Sequence, residues 1–230
     1  MAIVGKFGSG KSSLVNCILG EMNYEGDPSV ETNGKIAYAS QKPWIMNDTV
    51  KSNIIFGEPF DKDKYDEVVT YACLESDFKI LTRGDQTMIG ERGSTVSGGQ
   101  KARISLARAL YSGADILILD DVLSAVDAHV GSFLFSETIK NYLKNKTVIL
   151  VTHSLYFMPH VDHIVVMEEG KISAEGNFEE LQKHPIFLSI TAAALQEETE
   201  VKSPRKNSLD SPKKKRVQQM MGENAEFVEE

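Results

Sequence analysis

No stretch limits the fold of this chain more than Gly5-Lys6-Phe7-Gly8-Ser9-Gly10-Lys11-Ser12, close to its start. The apolar run Ala2-Ile3-Val4 before it reads as a strand, and Ser13-Leu14-Val15-Asn16-Cys17-Ile18-Leu19 after it reads as a helix. Strand, glycine-rich turn and helix in that order turn the pattern G-x-x-x-x-G-K-[ST] into a cradle for phosphate. The glycines bring backbone N–H groups onto phosphate oxygens with no Cβ in the way. The new helix aims its positive end at the same anion. Lys11 adds a mobile charge for β- and γ-phosphates, and the Ser12 hydroxyl can ligate Mg²⁺. A chance match in a Gly/Ser-rich turn is the alternative, and the motifs further along weigh against it.

Continuous apolar runs at 116–119, 147–151 and 163–167, with a shorter one at 34–39, suit a parallel sheet covered on both faces. Between Pro43 and Asp115 the pattern is mostly helical. Tyr65, Val68, Val69 and Ala72 fall at helical spacing, and Ser97-Gly98-Gly99 opens a second helix through Ala102, Ile104, Leu106, Ala107 and Leu110. Glu169-Gly170-Lys171 reads as a hairpin turn, and Asn177 as the cap of a short helix through Leu181. The expected fold is α/β of the P-loop NTPase kind: a mostly parallel sheet flanked by helices, with a helical subdomain at about 43–112. Only four residues precede Gly5, so N-terminal strands are expected to be missing from this chain.

With 230 residues, 41% of them apolar, one large domain at 1–195 plus a tail is expected. From 196 to 230, Ser, Pro, Lys and Glu dominate without periodicity, which reads as a disordered tail or inter-domain linker. Within it, Lys213-Lys214-Lys215-Arg216 is either an import-like signal or a solvated charge run, and Ser203, Ser208 and Ser211 are candidate kinase sites. A net charge of −8 argues against a general nucleic-acid binder. No apolar run is long enough to span a bilayer. Cys17 and Cys73 lack metal-ligand spacing and are expected to be buried free thiols in helical patterns.

Two further segments carry chemistry. Ile116-Leu117-Ile118-Leu119-Asp120 is an apolar strand ending in a carboxylate, which places Asp120 beside the phosphate loop where it can hold Mg²⁺. Val96-Ser97-Gly98-Gly99-Gln100 opens a helix with small residues and so offers a second set of anion-seeking N–H groups. One domain has little use for two such sites, but two domains facing each other can each close over the nucleotide held by the other.

With these segments in place, the chain resembles the nucleotide-binding domain of an ABC transporter from Met1 to about Ala194. Segment 5–12 resembles Walker A, Gln41 the Q-loop glutamine, segment 96–100 the signature, segment 116–120 Walker B, Ser124-Ala125-Val126-Asp127 the D-loop and His153 the switch histidine. Gly90-Glu91-Arg92-Gly93 resembles the exporter loop that touches membrane domains. Gln41-Lys42-Pro43-Trp44-Ile45-Met46-Asn47-Asp48-Thr49-Val50, then Asn53-Ile54-Ile55-Phe56-Gly57, is similar to the multidrug-resistance-associated (C) subfamily, as is the run from Asp120 to Asp127. Both are closest to the first of its two domains. The resemblance implies ATP and Mg²⁺ bound at 5–13 (Gly5, Lys6, Phe7, Gly8, Ser9, Gly10, Lys11, Ser12, Ser13), with Ser12, Gln41 and Asp120 near the metal. Asp121, His153 and Gln41 would serve hydrolysis, and Ser97, Gly98, Gly99 and Gln100 would meet the partner's ATP. The implied partners are transmembrane domains and a second nucleotide-binding domain at the cytosolic face of a membrane, with no nucleic acid and no membrane contact of the chain's own. Trp44 is expected to pack the helical region near the membrane-domain contact.

The departures are informative too. Relatives usually carry Glu after Walker B as general base; Asp121 is shorter, which implies an own site that binds ATP well and hydrolyses it weakly. Val122 stands where many have proline, and Val96 where leucine is common. Two other readings stay open on sequence: a regulatory nucleotide-binding module of a channel- or receptor-type relative, and a soluble ABC ATPase.

Overall fold

Strand residues in this protein alternate between two buried faces. In β3 (Ile116–Asp120), Leu117 and Leu119 join one apolar cluster while Ile118 joins the other. Neighbouring strands repeat the split, with Leu150 opposed to Ile149 and Val151, and Ile164 and Val166 opposed to Val165 and Met167. A period of two with both faces apolar requires helices on both sides. The computed structural model describes residues 1–23, 25, 30–90 and 95–200, with side chains through 192.

The sheet has six strands in the order β2-β3-β4-β1-β5-β6, drawn from Ala2–Gly5 (β1), Ile36–Ala39 (β2), β3, Thr147–Val151 (β4), Ile164–Glu168 (β5) and Lys171–Gly176 (β6). Every pairing is parallel except β5 with β6. That hairpin turns at Glu169 and Gly170, with φ 50° and 77°, the two left-handed residues a tight turn demands. Helix α1 (Lys11–Ile18) lies on one face, where Val15 joins Ile3, Ile118 and Met167. The other face carries α2 (Val50–Ile55), α3 (Lys62–Tyr71), α4 (Glu75–Ile80) and the long α5 (Gly98–Tyr111). These four helices all lie between residues 50 and 111.

Local caps explain several boundaries. Asp61 accepts from the Lys64 N–H at the start of α3, and Asn177 and Glu180 form a reciprocal capping box at α7 (Phe178–Leu181). The structure departs from expectation in three places. Cys73 follows α3 in a left-handed turn, φ 56°, and both cysteines are half-buried, not enclosed. Helix α6 (Ala128–Phe133) and the wider π-helical turns that continue it, Leu134–Tyr142, carry Leu134 and Phe135 into the core, although no helix is expected there from sequence. Helix α8 (Pro185–Glu200) continues past 196, where the tail is expected to begin. The remainder of that tail, with the basic run and the three serines, lies outside the described residues, as do Glu91, Arg92 and Gly93. Among the described residues no helix is long and apolar enough to cross a membrane.

Candidate functional site

Parallel strands point their C-terminal ends at one edge of a sheet, so whatever follows β1, β2, β3 and β4 gathers there. The loop after β1 needs its glycines. A Cβ on Gly5 would lie 2.3 Å from the Met167 carbonyl oxygen and 2.5 Å from Ser9 Oγ. Gly8 and Gly10 hold φ of 76° and 99°, the left-handed region that side chains resist. Ser9 is buried; its N–H donates to the Lys6 carbonyl at 3.1 Å, and its own carbonyl accepts from Gly170 N–H at 3.0 Å. The β5–β6 turn thereby braces the loop from behind. Lys11 is buried, and its Nζ donates to the Gly5 and Lys6 carbonyls at 2.9 and 2.8 Å. Desolvation holds its pKa below the ordinary lysine value, against the pull of Asp121 and then Asp120. Ser12 and Ser13 are exposed on the first turn of α1, and Phe7, 95% exposed, forms the tip.

Asp120 closes β3 and is buried beside this loop. Burial pushes its carboxyl above the usual aspartate value, while a hydrogen bond from the Tyr38 hydroxyl at 3.1 Å draws it back. Tyr38 is itself pushed up to about 12, first by burial and then by that carboxylate, so it stays a donor at neutral pH. Asp121 sits at φ 53°, which aspartate tolerates better than most residues. Its carbonyl accepts from the Ser124 hydroxyl at 2.8 Å, and its side chain accepts from Gln41 Nε2 at 3.1 Å. Asp121, Ser124, Asp127, Thr152 and His153 surround one hollow of about 230 Å³. A carboxylate and an imidazole facing shared space can position a water and move its proton.

The second anion-seeking segment is a true helix start. Ser97 caps α5 in a reciprocal box: its Oγ accepts from Gln100 N–H, and its N–H donates to Gln100 Oε1 at 2.8 Å. The Ser97 hydroxyl, used here as an acceptor, keeps its own hydrogen available to donate. Ser97 and Gly98 are exposed, and Gly99 lies against the D-loop-like turn, where an added Cβ would come 3.1 Å from the Ala125 carbonyl.

The Gln41 loop is anchored to the helical region by a polar knot. Asn53, fully buried, donates to the Met46 and Thr49 carbonyls and accepts from Met46 N–H and Arg108. Arg108 also donates to the Asn53 and Trp44 carbonyls, and its guanidinium lies 5.3 Å from the Trp44 ring centroid and 4.6 Å from that of Phe56. Trp44 and Phe56 meet edge to face at 5.8 Å and remain 58% and 46% exposed, an aromatic patch of the kind that marks a docking surface. Asn53→Ala strips four partners at once and is expected to cost about 2–4 kcal/mol, read as a lower thermal unfolding midpoint. A shift within error would mean that water replaces the knot.

The structure therefore brings Gly5, Lys11, Asp120, Asp121, Gln41 and His153 to one edge and leaves Ser97 to Gln100 at the head of a separate helix. Sequence reasoning missed Tyr38, for which only the aromatic in a short strand is a signal; it named Asn53 only within a segment, without its anchoring role, and missed Arg108.

Comparisons with known proteins place the chain in a family. Residues 1–124 match the family model described as "ABC transporter". The chain is 43% identical over 98% of its length to "Probable multidrug resistance-associated protein lethal(2)03659" of Drosophila melanogaster, covering 16% of that protein. It is 54% identical over 80% of its length to "Multidrug resistance protein mrp-7" of Caenorhabditis elegans, covering 12% of it. Over 87% of its length it is 44% identical to "ATP-binding cassette sub-family C member 4" of Mus musculus, covering 15% of it.

Proposed function

This chain belongs to the ABC transporter family, and from that premise we propose that it is the ATP-binding and ATP-hydrolysing domain of a C-subfamily exporter, corresponding to the first of two such domains. The observation that carries the reading is the convergence of the glycine loop, Lys11, Asp120, Asp121, Gln41 and His153 on one sheet edge. In this reading the amides of 5–13 and the Lys11 ammonium receive the phosphates of ATP. Ser12 and Asp120 supply the hard oxygen donors that suit Mg²⁺, and Gln41, bonded to the neighbouring Asp121, would join them. Bound Mg²⁺ would neutralise charge on the β- and γ-phosphates. Asp121 accepts a proton from the attacking water, weakly because of its short reach, and His153 steadies the γ-phosphate. Tyr38 orients the Asp120 carboxylate.

The second anion-binding helix start supports a clasped pair: Ser97 to Gln100 would close over the ATP of a second nucleotide-binding domain, at the cytosolic face of a membrane. The aromatic patch of Trp44 and Phe56 would transmit that closure to transmembrane domains. In the full-length product, Ser97→Ala should lower ATP turnover about tenfold, the worth of one lost hydrogen bond in the transition state. ATP turnover unchanged by Ser97→Ala, or no retention of Mg·ATP by the wild-type protein, would defeat the reading.

A further inference from the structure

Helix α4 carries a buried carboxylate that the mechanism above does not use. Asp77 is only 5% exposed. It accepts from Arg103 Nε and Nη2, both at 2.8 Å, and from Gln100 Nε2 at 3.1 Å. Arg103 is nearly enclosed too, with a side chain 13% exposed. A planar guanidinium held at two points cannot rotate about its partner, so the pair fixes α5 against α4 in orientation as well as distance.

Gln100 is the informative member. Its amide has two ends, and both are engaged: Nε2 donates to Asp77, and Oε1 accepts the Ser97 backbone N–H at 2.8 Å. One side chain therefore connects the buried carboxylate to the exposed cap residue. Removing the carboxylate leaves Gln100 free to reorient and Arg103 enclosed without its acceptor. The first loosens the cap; the second costs fold stability.

We propose that Asp77 is a positioning residue for the anion-binding start of α5, acting through Gln100, so that it governs completion of the second domain's nucleotide site and not ATP binding at the chain's own loop. This rests on the clasped-pair reading. The geometry separates two duties within one cluster: the Asp77–Arg103 pair holds α4 to α5, and the Asp77–Gln100 bond orients Ser97.

The test uses the full-length transporter, with ATP turnover, photolabelling of this domain by an azido-ATP probe, and thermal unfolding read in parallel. Asp77→Ala and Gln100→Ala are each expected to lower turnover roughly tenfold while labelling at the chain's own loop is unchanged, and the double variant to lose no more than the worse single one. The exchange Asp77→Arg with Arg103→Asp restores the ion pair but puts a donor where Gln100 needs an acceptor. It should recover thermal stability and leave turnover low. Turnover recovered together with stability in the exchange, or full turnover in Gln100→Ala, would overturn the proposal. Ser97→Ala is the control: if it also leaves turnover intact, the clasped pair itself fails, whereas a loss there with no loss in the Asp77 and Gln100 variants removes only the positioning role.

Discussion

Lys11→Ala lowers Mg·ATP affinity at this domain by at least about a hundredfold. The ammonium is buried at the mouth of the loop and held by the Gly5 and Lys6 carbonyls, so its position is set before any phosphate arrives. Charge-assisted hydrogen bonds from this ammonium to phosphate oxygens would contribute about 1.5–3 kcal/mol each. Two of them, at roughly 1.4 kcal/mol per tenfold, account for the loss. The fold itself loses about 1–3 kcal/mol, chiefly from leaving the buried Gly5 carbonyl without its donor. Lys11→Arg should fail as well, since a planar fork does not fit a space shaped around a point charge. Competition against a labelled ATP analogue, read beside a thermal melt, checks both halves. Affinity within about threefold of wild type would mean that the backbone amides alone carry the phosphates.

Asp121→Glu raises ATP turnover at this site by roughly tenfold to a hundredfold, the scale on which an ångström of misplacement is felt. Two features of the turn after β3 shape that outcome. The carboxylate is drawn toward Gln41, and the extra methylene lets it reach past that amide toward the hollow it shares with His153. The backbone at φ 53° suits aspartate better than glutamate, so the same change should cost about 1 kcal/mol of stability. Asp121→Asn provides the opposite sign: it keeps the backbone preference and an acceptor for Gln41 but abolishes the base, so turnover falls with little change in unfolding temperature. Single-turnover measurements on the full-length product separate chemistry from nucleotide release. Turnover that falls in Asp121→Glu would show that strain in the turn outweighs reach.

Spacing singled out Lys11 and the resemblance singled out Asp121, and both sit in short motifs for a physical reason. A phosphate loop, a strand ending in a carboxylate and a helix cap are each built from a few consecutive residues, so their chemistry is written locally. The boundaries of β4, the hairpin turn at Glu169 and Gly170 and the helix starts at Ser97 and Asn177 were legible for the same reason. The helix from Ala128 into Leu134–Tyr142 was not, because the residues following Asp127 are mixed polar and apolar without a strong stripe until Leu134. The cysteine in the Cys73 turn was misplaced because a left-handed residue after a helix end leaves the apolar period looking unbroken.

The sequence by itself determined which chemical groups this protein owns and on which kind of element each sits: an amide cradle with its lysine, paired aspartates at a strand end, a glutamine and a histidine after strands, and a capped helix start. Only the tertiary structure decided who meets whom. Tyr38 reaches Asp120 across 82 positions, Gln41 reaches Asp121 across 80, and Asp77 reaches Arg103 across 26. Such pairs are fixed by strand order and by how one helix lies on another, and those follow from burying two apolar sheet faces at once, a condition on the whole chain that no short window of residues contains.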